Sequence, residues 1–404
     1  MRNSLTKKKF SLPDWKWIAK GNVDIGFLLL VFLLLAIGLV MLASAGYSLA
    51  YHRENEDSYA YIRDQLIFSA VGLVTMFAVS KINYNYFRRF VLLGVGVSIL
   101  LLIVALIIAA IKERANPSGG EEIGRWIQIP GIGQFQPSEM AKVGLIAFYA
   151  WGCEKYHQQI VSKKAKTAFL TAAAFGGVGL VFIVLVYLEH HLSGTILFVA
   201  LTIAMLYLGE FNKWWFRVLI PIIIIVVAIF VINPKVGGIL DKYQLERIVA
   251  WKDKTYEPRD ARWQINNSLY AIGSGGLMGQ GLGESKMKHL YVSESQSDFI
   301  FSIVCEELGF VGAAFILVLF GMLIYRGYKI GMKCRSKFGM LLVVGIMVQI
   351  GLQTVLNVFV VTDFFPNTGI SLPFFSAGGT SLIFLLAEMG MVLSVSRQTN
   401  MIKE

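Results

Sequence analysis

Long apolar runs alternate along this chain with short segments rich in charge, glycine and proline. The runs lie near 25–45, 66–80, 90–111, 139–151, 167–188, 194–209, 214–232, 300–325, 339–361 and 379–396. Most approach the ~20 residues that a helix needs to cross a bilayer, and the short runs at 66–80 and 139–151 reach that length with their flanks. The pattern predicts an all-α polytopic membrane protein of about ten transmembrane helices. A large extracytoplasmic loop, 233–299, separates the seventh from the eighth. The whole chain, 1–404, reads as a single membrane domain with polar tails at 1–24 and 397–404.

Basic residues fall on alternate connections. One side carries Arg2, Lys7, Lys8, Lys9, Lys16 and Lys20, then Lys81, Arg88 and Arg89, then Lys155, Lys163, Lys164 and Lys166. It continues with Lys213 and Arg217, then Arg326, Lys329, Lys333, Arg335 and Lys337, and ends with Arg397 and Lys403. The opposite short loops hold only Arg53, Arg63, Lys112, Arg114 and Arg125. Because cytoplasmic loops retain Lys and Arg, both termini are predicted cytoplasmic; loops beyond ~60 residues, such as 233–299, escape that rule.

Composition agrees with a bilayer environment. The chain is 56% hydrophobic with a mean hydropathy of +0.62, too apolar for a soluble domain. Its net charge of +11 would suggest nucleic acid in a soluble protein, but the positional bias accounts for the excess, and nucleic acid is not expected as a partner. Cys153, Cys305 and Cys334 support neither a disulfide framework nor a zinc site. Lys7–Lys9, the apolar run and Ala43-Ser44-Ala45 superficially resemble a signal peptide, yet the run exceeds the 7–15 residues of a signal core, so an uncleaved first helix is expected.

The long loop contains a charged stretch with Arg247, Asp253, Arg259, Asp260 and Arg262, followed by the glycine-rich run Gly273–Gly283. Glycines at this density permit tight turns or close approach to a ligand. A nucleotide loop is not supported, because no Gly-Lys-Ser/Thr follows and the segment is predicted outside the cell. A structural turn or a phosphate-facing loop remains.

The polar clusters gather on the outer side or in the outer half of the membrane: Arg125-Trp126, Gln136 to Glu139 with Lys142, Arg247, Asp298, Glu306-Glu307 and Asn357. A site built there suits a membrane-borne substrate. Asp298 sits where a polar loop meets an apolar helix, and reads either as the N-cap of a helix beginning near Phe299 or as a functional acid. Glu139 and Lys142, three apart beside Pro137, share one helical face and form either an ion pair that eases both charges into the bilayer or part of a site. Glu306 and Glu307 fit packing or pairing with a neighbouring base. His190-His191 lack further ligands nearby and fit an interfacial position.

Taken together, Gly124-Arg125-Trp126-Ile127, Phe135 through Lys142, Ser268 through Gly276 with Gly281-Leu282-Gly283, Asp298-Phe299-Ile300-Phe301 with Glu306 to Gly309, and Asn357 through Gly378-Gly379 resemble the SEDS family of cell-wall polymerases. That family includes FtsW, RodA and SpoVE, and the resemblance spans nearly the whole chain. It implies a peptidoglycan glycosyltransferase that polymerises lipid II into β-1,4 glycan strands and releases undecaprenyl diphosphate. It further implies a multi-pass protein of the bacterial cell membrane, working at the division septum with a class B penicillin-binding transpeptidase and other division-complex membrane proteins.

By resemblance Asp298 is the catalytic residue, expected to act as general base, and Glu139 and Lys142 line the same cavity; Arg125, Arg247, Glu306 and Asn357 are further expected substrate-binding residues. The alternatives are a lipid II flippase, a RodA-type elongation polymerase, or a noncatalytic scaffold. Phe135 through Lys142 and the ending Val392 through Arg397 look closer to the FtsW and SpoVE branch. Several positions depart from the family pattern: His191-Leu192-Ser193-Gly194-Thr195 stands where members have Pro-Asp-Leu-Gly-Thr, Ser293 and Gln296 replace a Pro and a His before the acid, Asn267 replaces a Gln, and Ala377 replaces a Tyr. The sequence shows no dedicated metal cage and assigns no residue as a metal ligand, and it leaves open whether a divalent cation assists the reaction.

Overall fold

The computed structural model describes residues 18–53, 57–115, 126–129, 133–162, 164–212, 214–217, 221, 242–252 and 261–400. Nine of the ten apolar runs form helices, and the run 214–232 lies mostly outside the described residues. In chain order the helices are α1 (Ile25–Arg53), α2 (Ala60–Lys81), α3 (Tyr84–Ala115), α4 (Pro137–Lys155), the single turn α5 (His157–Ile160), α6 (Ala165–Leu188) and α7 (Leu192–Leu208). They continue with α8 (Lys242–Lys252), α9 (Ala261–Gly275), α10 (Ile300–Met332), α11 (Lys337–Val361) and α12 (Gly379–Asn400). Seven are long and apolar enough to cross a membrane, and α7 is a shorter apolar helix.

Several helices outrun their apolar stretches: α1 continues to Arg53 and α10 to Met332. Hydropathy marks where a helix leaves hydrocarbon, whereas the backbone hydrogen bonds continue until a cap or turn ends them. One short hairpin accompanies the helices of the expected all-α fold. β1 (Ile127–Ile129) and β2 (Gly133–Phe135) pair antiparallel just before α4. A three-residue strand is too short to leave a hydropathy signal.

Local chemistry explains the helix starts that position the site. Pro137 opens α4, its fixed φ suiting the first turn, and Glu139 in that turn faces the positive end of the helix dipole. Ser336 caps α11 by accepting from the Gly339 N–H at 3.4 Å. At α10 the cap position is Phe299, without a side-chain cap bond, so Asp298 is not the cap that the sequence allowed.

The glycine-rich run docks into a break in α10. Gly309 there has φ +66°, a left-handed conformation that costs glycine little, and the helical ladder is interrupted around it. The Gln280 and Gly281 N–H groups donate to the carbonyls of Glu306 and Glu307 at 2.9 and 3.0 Å. In return Phe310 and Val311 donate to Gly276 and Leu277 at 2.9 and 3.1 Å. The exchange satisfies backbone groups that an apolar environment would otherwise leave costly. Phe310 lies some ten residues beyond the start of α10, about 15 Å along its axis. The end of the segment predicted as an external loop therefore runs alongside α10 instead of standing wholly beyond its end. Asp253, Arg259 and Asp260, the whole of 222–241, and residues 1–17 and 401–404 of the terminal tails lie outside the described residues.

Candidate functional site

A chamber of about 640 Å³ opens among α1, α2, the β-hairpin, α4, the start of α7, α8, and the loops before α10 and α12. Its wall carries Glu139, Lys142, Arg247 and Asp298 together. Four of the residues singled out from sequence, spread over 160 positions of chain, thus face one space.

Asp298 is held by its backbone. Three consecutive carbonyls are each pinned: that of Gln296 by the Ala377 N–H at 2.8 Å, that of Ser297 by the Ser376 hydroxyl at 2.8 Å, and that of Asp298 by the Asn357 amide at 2.8 Å. Asn357 also donates to the Ile370 carbonyl at 2.7 Å and is fully buried. It is a strut behind the wall and is absent from the lining residues of the chamber. The turn that supplies Ser376 and Ala377 is braced in turn by Gln65 of α2, which donates to the Ser376 carbonyl at 3.3 Å and accepts from the Gly378 N–H at 3.2 Å. The side chain is left to face the chamber, with Ser297 donating to Oδ1 at 3.3 Å.

Arg247 reaches the same corner from α8. Its Nη1 donates to the Asn367 carbonyl at 3.0 Å, and Asn367 is tied to Gln264 at 3.0 Å. Gly369, at φ +68°, lies between the two charges: a Cβ there would sit 2.9 Å from Asp298 Oδ2 and 3.6 Å from Arg247 Nη1. Only glycine leaves room for the carboxylate and the guanidinium to approach this turn together.

Across the chamber Lys142 and Glu139 form an ion pair at 2.8 Å, their side chains only 4% and 14% exposed. Lys142 has no further hydrogen-bond acceptor among the described residues, so its ammonium keeps donor capacity for a ligand. At the mouth, Arg53 of α1 pairs with Glu294 at 3.3 Å, and Gln296 donates to the same carboxylate at 3.0 Å.

The structure places other expected residues elsewhere. Glu306 and Glu307 do not line the chamber. Glu306 accepts from the Lys286 N–H at 3.0 Å and from the Ser285 hydroxyl, while Glu307 pairs with Lys288 at 3.0 Å and accepts from Ser44 at 2.6 Å. Both clamp the glycine-rich segment. Arg262 pairs with Asp363 at 3.0 Å, joining α9 to the turn after α11. Arg125 lies outside the described residues, although its neighbour Trp126 lines the chamber. His191 lines the chamber as well, and the Ser193 hydroxyl bonds the Thr368 carbonyl.

Sequence reasoning missed Arg53, Tyr61, Asp64 and Gln65 as chamber residues. Gln65 carried little signal, because it directly follows Arg63 and Asp64 near the polar start of α2. Arg53 carried none, because an arginine at a helix end beside an outer loop is ordinary. Groups of His, Cys, Asp and Glu able to hold a metal are absent among the described residues.

With this geometry in place, comparison with known proteins gives a consistent answer. Residues 25–401 match the model of the FtsW/RodA/SpoVE family, described as cell cycle protein. The chain is 33% identical over 396 residues to a protein of Trichlorobacter lovleyi named probable peptidoglycan glycosyltransferase FtsW, covering 97% of this chain and 96% of the relative. It is 34% identical over 381 residues to stage V sporulation protein E of Bacillus subtilis, covering 94% and 98%. Among solved structures, a chain of a peptidoglycan synthase complex that coordinates polymerization and crosslinking superposes with a TM-score of 0.72 at 24% identity, over 93% of this chain and 98% of that one. The rod shape determining protein RodA of Thermus thermophilus superposes with a TM-score of 0.63 at 24% identity, over 96% and 99%.

Proposed function

The chain belongs to the FtsW/RodA/SpoVE family, and from that premise we propose that it is a peptidoglycan glycosyltransferase, polymerising lipid II into β-1,4 glycan strands with release of undecaprenyl diphosphate. The observation that carries this reading is Asp298. It is a carboxylate on a backbone pinned at three successive carbonyls, facing a chamber that also holds Lys142 and Arg247.

An α-linked donor that gives a β-linked product requires inversion, hence one displacement and one base. The C4 hydroxyl of the incoming GlcNAc attacks C1 of the lipid-linked MurNAc at the growing end. Asp298 takes the hydroxyl proton as the new C–O bond forms, and the C1–O bond to the diphosphate breaks with its electron pair on the leaving oxygen. Negative charge develops on that diphosphate, and the ammonium of Lys142 and the guanidinium of Arg247 are two chamber cations placed to oppose it. A rigid base serves such a reaction because the attacking and accepting atoms must already be aligned.

The protein is a multi-pass membrane protein. Both termini are proposed to be cytoplasmic, with the chamber at the outer face where lipid-linked precursors are used. The names of the two relatives favour a role in division or sporulation over elongation. The synthase-complex match supports a class B transpeptidase as working partner.

The deciding experiment supplies purified protein with lipid II and a cognate transpeptidase. Glycan strands are the expected product, whereas lipid II translocation without polymer would replace this reading with a flippase. For the topology, Arg335→Cys in a cysteine-free background should be labelled only from the cytoplasmic side. Labelling from outside intact cells would invert the assignment.

A further inference from the structure

Beneath the chamber floor lies a second cavity of about 30 Å³, lined by Glu139, Gln349, Gln353 and Ser381 among others. Glu139, Gln353 and Ser381 also line the chamber, so the small cavity continues it inward. Gln349 and Gln353 are one helical turn apart on the same face of α11.

Next to this cavity is an acid that the proposed reaction does not use. Glu388 of α12 is 1% exposed, and both of its oxygens accept from the Gln349 amide, Nε2 to Oε1 at 2.9 Å and Nε2 to Oε2 at 3.0 Å. Both bonds come from the amide nitrogen, so it is the NH2 end of Gln349 that faces the carboxyl group. The amide oxygen is turned the other way. Gln349 is itself 1% exposed, and its Oε1 is buried without a hydrogen-bond partner. An orphaned buried acceptor beside a polar cavity of this size calls for a donor that the protein does not supply. A water needs ~10–15 Å³ of such space and two to four polar partners.

We propose that Glu388 and Gln349 are positioning residues for the Glu139–Lys142 pair, acting through a water molecule bound in the small cavity. The water donates one hydrogen to Gln349 Oε1 and the other to the Glu139 carboxylate, and accepts from the Gln353 amide. Glu139 holds Lys142 at 2.8 Å, so fixing the carboxylate fixes where the ammonium meets the chamber. The chain of control runs from a buried acid in α12, through an amide in α11 and one water, to a cation on α4. This inference rests on the preceding reading only in taking Lys142 to face the substrate diphosphate.

The test uses the full-length protein with its transpeptidase partner and three variants. Gln349→Leu/Glu388→Leu replaces the polar pair by apolar neighbours, which a buried site tolerates better than a half-broken pair. It should keep membrane insertion and thermal midpoint while the kcat for lipid II polymerisation falls roughly tenfold, the scale of one lost hydrogen bond to a charged group. Glu388→Gln still presents an acceptor to Gln349 Nε2 and should retain at least about half of the wild-type rate. Glu388→Leu alone should lose as much rate as the double variant, because both break one chain of contacts.

A cryo-electron microscopy map fine enough to show waters should place one between Gln349 and Glu139 in the wild type and none in the double variant. Wild-type kcat in the folded double variant, or a wild-type map with no water at that place, overturns the proposal. If wild-type protein makes no glycan at all, the polymerase reading fails, and the density between Gln349 and Glu139 still decides the positioning.

Discussion

Two buried lysine–glutamate pairs, one in the chamber and one under the glycine-rich segment, look alike and do different work. Lys142 and Glu139 meet at 2.8 Å with side chains 4% and 14% exposed; Lys288 and Glu307 meet at 3.0 Å with side chains 5% and 0% exposed. The difference lies in the remaining hydrogen-bonding capacity. Lys288 has three acceptors for its three protons, namely Glu307, the Ser44 hydroxyl and the Gly283 carbonyl. Lys142 has Glu139 alone among the described residues and faces open space. A saturated ammonium is a staple, here joining α1, α10 and the glycine-rich segment. An unsaturated one beside a cavity is available to a ligand. Burial and distance do not separate structure from function at these pairs; the count of unused donors does.

The largest effect is expected on the chamber side, where capacity is left over. Asp298→Asn should leave insertion, thermal midpoint and partner binding unchanged while polymerisation falls by ~100-fold or more, the range for a lost general base. Because Phe299 occupies the cap position, Asp298→Ala should match the Asn variant in stability as well as in activity. A near wild-type rate of glycan formation by the Asn variant would remove Asp298 as base.

At the staple the loss should appear in stability. Lys288→Met leaves the buried Glu307 carboxylate without its cation and should cost about 3–5 kcal/mol of folding stability, read as a lowered thermal midpoint. Adding Glu307→Gln should restore much of it. If Lys288→Met instead melts like wild type and only slows the enzyme, the contrast between the two pairs collapses.

Lys142→Met sharpens the contrast from the other side. Polymerisation should fall about 100-fold, as for removal of one preorganised group that opposes developing charge, with a smaller change in thermal midpoint than Lys288→Met produces. Equal destabilisation by the two variants would mean that both lysines are staples.

The smallest effect belongs to a solvent-facing pair on the side predicted cytoplasmic. A hydrogen bond from Lys337 at 2.9 Å holds the Glu210 carboxyl below its ordinary value of 4.5. A depressed carboxyl contributes stability that is fully present above its unfolded value and disappears as pH falls through the lower folded value. Glu210 is 59% exposed, so Glu210→Gln should cost under ~1 kcal/mol at neutral pH, and its difference from wild type in thermal midpoint should shrink steadily as melts are run at pH values progressively below 4.5.

Much of the architecture was legible beforehand because it depends on local sums. A run of some 20 apolar residues has a single low-energy answer in a bilayer, a helix with its backbone bonds satisfied internally, and nine of the predicted runs are helices. Pro137 and Glu139 marked the start of α4 for equally local reasons. The resemblance of ordered motifs then pointed to Asp298, Glu139 and Lys142, which the structure gathers in one chamber.

What the sequence could not separate were residues whose local surroundings are alike. Lys288 and Lys142 are both lysines near acids, yet the partners of Lys288 include Ser44, 244 positions away. Asp298 looked like a helix cap, but its backbone is set by Ser376, Ala377 and Asn357. Glu388 was one acid within an apolar run, and only α11 packed against α12 brings it to Gln349. Sequence by itself therefore determined the membrane class, the helices and the family. Tertiary structure decided which charges meet and which keep a free valence, because hydrophobicity acts over a few turns of one helix, whereas a hydrogen bond needs its two partners within about 3 Å, wherever the chain places them.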